Sequence, residues 1–176
     1  MENLEKPLNL IVSCAENRVM GRGGKLPWNI PEDRAWFLEK TCGQIVVLGR
    51  ICYEIWPGAH EDGRRPIVIT NSTIDPLPRH SMPAGAAAPC VVRSVREALQ
   101  KAQELPGEVF VCGGARIFEE TLPIAQRLYL TLVHAKVAGD ALFPEWRHLA
   151  WRESYRKEGN DATHRLTFSI LERQKK

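Results

Sequence analysis

The chain has 176 residues, 44% of them hydrophobic and 26% charged. That is an ordinary globular composition, with length enough for one domain (1–176) that buries a real core. The net charge of +3 does not call for nucleic acid or a membrane surface, although local arginines can still hold a small anion. No apolar run is long enough to span a bilayer. The segment Met1–Pro7 carries two acids and no apolar signal core, so the expected location is cytoplasmic.

In chain order, Leu8–Ala15 (LNLIVSCA) reads as a buried strand: short, apolar and followed by turn-forming Glu16-Asn17. A glycine-rich loop, Gly21-Arg22-Gly23-Gly24, leads to Leu26-Pro27. Pro31–Thr41 reads as a helix with proline at its first position. Gln44–Leu48 (QIVVL) is a second buried strand, with a short helix after Gly49, and Pro66–Thr70 (PIVIT) is a third. Residues 74–89, with four prolines and a triple alanine, read as a long surface connection. Ser94 and Glu97 have capping-box spacing ahead of a helix running to about Leu105. Glu108–Cys112 (EVFVC) is a fourth buried strand, running into Gly113-Gly114 and a helix closed by Pro123. Arg127–Lys136 is a strand, and Trp151–Arg156 with His164–Leu171 form a hairpin. Alternating strands and helices predict an α/β fold: a central mixed sheet of about eight strands, mostly parallel, antiparallel at its C-terminal edge and flanked by helices.

The five cysteines are scattered, without a C-x-x-C pair. Cys14, Cys52 and Cys112 are expected as buried free thiols, and neither a disulfide framework nor a zinc site is suggested. The histidines have no metal spacing, and no metal is expected. Neither a nucleophile elbow nor a Ser-His-Asp set is present.

Five features carry chemistry, each with a plainer reading beside it. Asp33 lies in the first turn of a helix that then becomes apolar (Trp36, Phe37, Leu38). A carboxyl among bulky apolar groups has a raised pKa and suits proton chemistry, but an acid in a first turn is also simply a good cap. Gly113-Gly114 stands at a strand-to-helix turn that would let a phosphate approach main-chain amides, or is a tight turn needing positive φ. The G-x-G-x-x-G fingerprint is absent. Gly49-Arg50 repeats that logic with a cation, which could equally be solvated. Gly63-Arg64-Arg65 could grip a carboxylate, or be a basic turn. Thr131, mid-strand, is either a hydroxyl partner or a β-former.

Together these residues resemble dihydrofolate reductase. The resemblance runs from about Leu8 to Arg173. It is carried by Asn17-Arg18-Val19-Met20-Gly21, Leu26-Pro27-Trp28-Asn29-Ile30-Pro31-Glu32-Asp33, Leu48-Gly49-Arg50, Cys112-Gly113-Gly114-Ala115-Arg116-Ile117-Phe118, Leu128-Tyr129-Leu130-Thr131, Gly139-Asp140, Phe143-Pro144 and Phe168-Ser169-Ile170-Leu171-Glu172-Arg173. It implies reduction of 7,8-dihydrofolate to tetrahydrofolate by NADPH, with antifolates as inhibitors and a monomeric enzyme. Asp33, Trp28 and Thr131 match the catalytic set: Asp33 for the pterin and protonation at N5, Trp28 for the water and the loop, Thr131 for bonding Asp33. Ile11, Val12, Phe37, Trp56 and Cys112 would line the folate pocket, and Arg64 would take the glutamate α-carboxylate. Ser13, Met20, Gly49, Arg50, Cys52, Thr70, Asn71, Gly113, Gly114, Ala115, Arg116, Ile117 and Phe118 would hold the cofactor. Arg50 with Thr70-Asn71 is the expected 2′-phosphate site, and the Gly113–Gly114 peptide is cis in the family. Glu16–Trp28 match the mobile active-site loop.

The chain departs from the pattern at Cys52 (a hydroxyl residue is usual), at Phe118 (often tyrosine) and at Arg34 (often apolar). Two other readings stand beside this one. A same-fold reductase of another pterin or pyrimidine would lack the Trp28, Asp33 and Thr131 set. A nucleotide-binding regulatory module would have no need of a buried carboxylate.

Overall fold

The computed structural model describes residues 5–72, 84–85 and 88–174. Most of the long connection expected at 74–89 therefore lies outside the described residues. The strands are β1 (Leu8–Ala15), β2 (Val19–Gly21), β3 (Ile45–Gly49), β4 (Arg65–Ile69), β5 (Cys90–Val92), β6 (Val109–Val111), β7 (Arg127–Val133), β8 (Ala141–Leu142), β9 (Trp151–Asn160) and β10 (Arg165–Arg173). The helices are α1 (Pro31–Thr41), α2 (Arg50–Glu54), α3 (Val95–Glu104) and α4 (Ala115–Thr121). Eight strands form one sheet in the order β5-β4-β3-β6-β1-β7-β10-β9. Every pairing from β5 to β7 is parallel, and β7–β10 and β10–β9 are antiparallel. This is the expected mixed sheet with its antiparallel C-terminal edge.

The central strands are mostly apolar because helices cover both faces, with Asn9, Ser13 and Thr131 as polar exceptions. In β1, Leu10, Val12 and Cys14 join the core shared with α3 and α4, whereas Ile11 and Ala15 join Trp28, Ile30 and Trp36 on the α1 face. Strand alternation sets this division, and it decides which side chains can reach a common site. The edge strand β9 (WRESYRKEGN) is polar and largely exposed. Charges on an exposed edge discourage pairing with another chain.

Several boundaries differ from expectation. β7 ends at Val133 instead of reaching Lys136, because the chain turns there, Ala135 N–H bonding the Val133 carbonyl at 2.8 Å. At the start of α3, Ser94 Oγ accepts from Glu97 N–H at 3.1 Å, but the Glu97 carboxylate reaches the Arg93 N–H (2.8 Å), one residue earlier than a regular capping box. β2, β5 and β8 are two or three residues long, too short to leave a periodic signal. Of the three cysteines expected as buried, only Cys14 is; Cys52 and Cys112 are half-buried, and all five are free thiols.

Candidate active site

α1 begins without a side-chain cap on Ile30. Pro31, whose fixed φ suits a first helical position, starts the helix and aims its first turn at the sheet. Asp33 is therefore no surface cap: it is 7% exposed. It faces the strand face carrying Ile11, Ser13 and Ala15 on β1 and Tyr129, Thr131 and Val133 on β7. Ser13 and Thr131 are direct neighbours in the parallel register. Burial raises the Asp33 pKa, and the neighbouring Thr131 and Ser13 hydroxyls pull it part of the way back. The balance follows from magnitudes. A hydrogen bond to a charged group contributes roughly 1.5–3 kcal/mol, whereas burying an ion costs several kcal/mol. Among the described residues, no charged side chain shifts Asp33 in either direction. Arg34, the next residue, is exposed and points to solvent.

Apolar side chains wall this carboxyl. Trp28 and Trp36 are buried, and the indole N–H of each lacks a hydrogen-bond partner among the described residues. Trp36 stacks on Tyr155 at 5.5 Å and packs against Phe168 at 5.3 Å. Phe37 meets Trp56 edge-on at 4.8 Å, and Cys112 packs against both clusters on this side. Of the residues expected in the substrate pocket, Val12 stands apart. Its side chain belongs to the opposite core, leaving only its main chain on this side. Ser13, expected with the cofactor residues, is the in-register neighbour of Thr131 on this floor.

Arg64 is buried at 4% exposure. Its Nε donates to Thr41 Oγ1 (2.9 Å), Nη1 to the Glu61 carbonyl and to Asp62 Oδ2 (both 2.9 Å), and Nη2 to the Leu38 carbonyl (2.7 Å). A guanidinium has five N–H donors, so the open fork expected for bidentate capture of a carboxylate is largely filled. The reason is burial: a charge this deep needs partners from the chain itself.

The second half of the site forms where β3 and β6 end side by side. Gly49 N–H donates to the Gly113 carbonyl at 2.8 Å, so the starts of α2 and α4 adjoin. The Gly113–Gly114 peptide is cis, and Gly113 has φ 115°. A Cβ on Gly113 would lie 3.3 Å from the Phe118 ring and 3.4 Å from Cys52 Sγ; one on Gly49 would lie 3.3 Å from Ile117 Cδ1. The paired turns thus form a cradle walled by Cys52, Ile117 and Phe118, with main-chain N–H groups of two uncapped helix starts as anion donors. Met20 packs with Ile117 and Phe118 in the same core. Arg50 is held by Glu54 at 2.6 Å. Arg116 is exposed and paired with Glu120 at 3.3 Å. Thr70 and Asn71 follow β4, beside the end of β5. There Arg93, unmarked by the sequence reading, donates to the Thr70 and Ser72 carbonyls at 3.1 and 2.9 Å. A three-residue β5 hid it: without that strand, nothing places residue 93 beside residue 70.

The loop from Glu16 to Trp28 is tied down more than its glycines suggest. β2 pairs with β8, Arg18 N–H and carbonyl bond Ala15 and Phe143, and Gly23 N–H donates to the Asp140 carboxylate at 3.2 Å. Among the described residues, no group of His, Cys, Asp and Glu could hold a metal ion, and no helix is long and apolar enough to cross a membrane.

Known proteins share this arrangement over nearly the whole chain. The dihydrofolate reductase family model matches residues 7–175. Dihydrofolate reductase of Neisseria gonorrhoeae is 37% identical over 164 residues, covering 93% of this chain and 95% of that protein. That of Bacillus subtilis is 31% identical over 171 residues, covering 96% and 95%. A solved structure of dihydrofolate reductase from Enterococcus faecalis, complexed with NADP(H) and RAB-propyl, superposes with a TM-score of 0.81 at 30% identity, covering 96% and 97%. The family model and these relatives, matched along nearly the whole chain, lead to one conclusion: the chain belongs to the dihydrofolate reductase family.

Proposed function

We propose that this protein reduces 7,8-dihydrofolate to 5,6,7,8-tetrahydrofolate with NADPH, acting as a single-domain monomer. The observation that carries the reading is Asp33, a buried carboxyl with hydroxyls and no cation for company. Such a group is costly to the fold, and its use is to face a ligand that can share a proton with it.

NADPH, when bound, supplies the hydride that reaches the pterin C6. The cradle would suit such a group, since the two turns pack so closely that a Cβ at Gly49 or Gly113 would press on Ile117, Phe118 or Cys52, leaving the uncapped starts of α2 and α4 to face it. Gly49, Cys52, Gly113, Gly114 and Ala115 hold the pyrophosphate. Arg50, Thr70 and Asn71, with Arg93 added to them, take the ribose phosphate at the ends of three neighbouring strands, where open parallel sheets bind ligands. Arg116 lines the outer edge, and Met20, Ile117 and Phe118 flank the nicotinamide end. On the other side, Ile11, Phe37, Trp56 and Cys112 enclose the substrate's apolar faces, with the Val12 main chain at their edge. Asp33 accepts from the pterin's amino group and N3–H, and Thr131 steadies that carboxyl. The Trp28 indole N–H is a ready donor for the water that relays a proton to N5. Hydride at C6 and proton at N5 together balance the reduction. Arg64 offers its remaining N–H to the substrate's α-carboxylate, which displaces Asp62 from Nη1. Antifolates with a protonatable diamino ring would pair with Asp33 in the same pocket.

The test is the loss of NADPH absorbance on adding dihydrofolate. Oxidation that depends on dihydrofolate is expected; oxidation without it, or turnover only of another pterin or pyrimidine, contradicts the assignment.

A further inference from the structure

The face of β1 that carries Ile11 and Ala15 has two polar side chains, Asn9, whose Nδ2 donates to Glu108 Oε2 at 2.9 Å, and Ser13. Ser13 lies between Ile11 and Ala15, whose side chains pack with Trp28 and Trp36. Its Oγ is buried and makes no hydrogen bond of regular geometry. A buried hydroxyl without a partner destabilises a fold by about as much as a lost hydrogen bond, so its presence needs a reason. Two features point to Asp33. Ser13 is the in-register neighbour of Thr131, and adjacent strands are about 4.8 Å apart, so the two hydroxyls form a paired floor on one face. Asp33, the buried carboxyl of α1, stands over that floor.

We infer that Ser13 is a positioning residue for Asp33, a second hydroxyl that works with Thr131 to orient the carboxylate and favour its charged form. This rests on the proposed role of Asp33 and assigns Ser13 to the carboxylate instead of the cofactor. A hydroxyl that donates to a carboxylate favours the ionised form, and the Ser13 hydroxyl acts on Asp33 in that direction. The charged groups around the site are already engaged or remote. Glu32 on α1 pairs with Lys157 of β9 at 2.9 Å. Arg34 is exposed. Arg127 at the start of β7 pairs with Glu108. His134, just past β7, bonds Thr167 of β10 at 2.7 Å, and Thr167 in turn donates to Glu158.

The test compares Ser13→Ala and Ser13→Cys, the second nearly isosteric but a weak donor. The Asp33 carboxyl is titrated by carbon NMR in the protein without ligands, alongside the pH profile of single-turnover NADPH oxidation, the NADPH Kd and Tm. Both variants are expected to titrate Asp33 at higher pH than the wild type and to move the rate profile the same way. NADPH affinity should be unchanged and Tm equal or higher. An unmoved Asp33 titration in Ser13→Ala overturns the assignment. So does a Cys variant that behaves like serine, which would make shape the cause, or a weaker NADPH Kd with no change at Asp33, which would return Ser13 to the cofactor. Because the titration needs no substrate, it is judged separately from whether dihydrofolate is reduced.

Discussion

At the residue scale, Asp33 sets a conflict between stability and chemistry. Burial raises its pKa above the ordinary carboxylate value, so the native state binds the proton more tightly than the unfolded chain does. Stability then falls as pH rises through the Asp33 pKa, and the cost is fully present above it. Below the ordinary carboxylate range the cost is gone. Asp33→Asn is therefore expected to be more stable than the wild type at pH 7, with the gap narrowing as pH falls through the Asp33 pKa toward pH 4. Urea midpoints of both proteins across that range check this; a gap that stays constant would mean the carboxyl charge is not what burdens the fold. The same residue shows the limit of reading a sequence alone. A first-turn acid before an apolar run is equally a cap, and only the sheet floor beneath α1 separates the two readings. Ser13 and Arg64 were less legible still. Their type and position were visible, but which face of β1 meets α1, and how many donors a buried guanidinium spends on Thr41, Leu38, Glu61 and Asp62, are tertiary facts.

At the scale of elements, the β2–β8 ribbon governs the loop that carries Trp28. Gly139 passes so close beneath it that a Cβ would run into Val19 Cγ1 and stand 2.5 Å from the Gly21 carbonyl oxygen. Something must shift, and the ribbon is the weaker party: it has two short strands and a few loop bonds, against a sheet buried on both faces. Gly139→Ala should therefore displace the loop and leave the core in place, so dihydrofolate-dependent NADPH oxidation slows several-fold or more while Tm changes little. Single-turnover rates and thermal melts decide it; a full rate with a lowered Tm would show that the ribbon holds and the core gives way. The long elements β1, α1 and β3 were legible because their apolar runs and Pro31 leave local signals. β2, β5 and β8 were not, since strands of two or three residues exist only through their partners. With β5 hidden, Arg93 stayed hidden beside Thr70.

At the scale of the molecule, the sheet order explains why residues so far apart in sequence converge. β3, β6, β1 and β7 are neighbours, though they are second, fourth, first and fifth among the strands read from sequence. Their order brings Gly49, Gly113, Ser13 and Thr131 to one end of one sheet, with α1 delivering Asp33 on top. The resemblance to dihydrofolate reductase made this convergence readable from short motifs in order; periodicity alone gave the α/β class but not the neighbours. The proposed cofactor cradle and the Asp33 pocket thus belong to different turns of the chain, and damage to one should spare the other. The most direct measurement is the single-turnover rate of NADPH oxidation by dihydrofolate at neutral pH, together with the NADPH Kd, for the wild type and Asp33→Asn. The rate is expected to fall by about 10²–10⁴-fold, the usual worth of a positioned acid–base group, while NADPH affinity stays within about threefold, under 1 kcal/mol. An undiminished rate, or rate and affinity lost in equal measure, would contradict a role for Asp33 in delivering the proton.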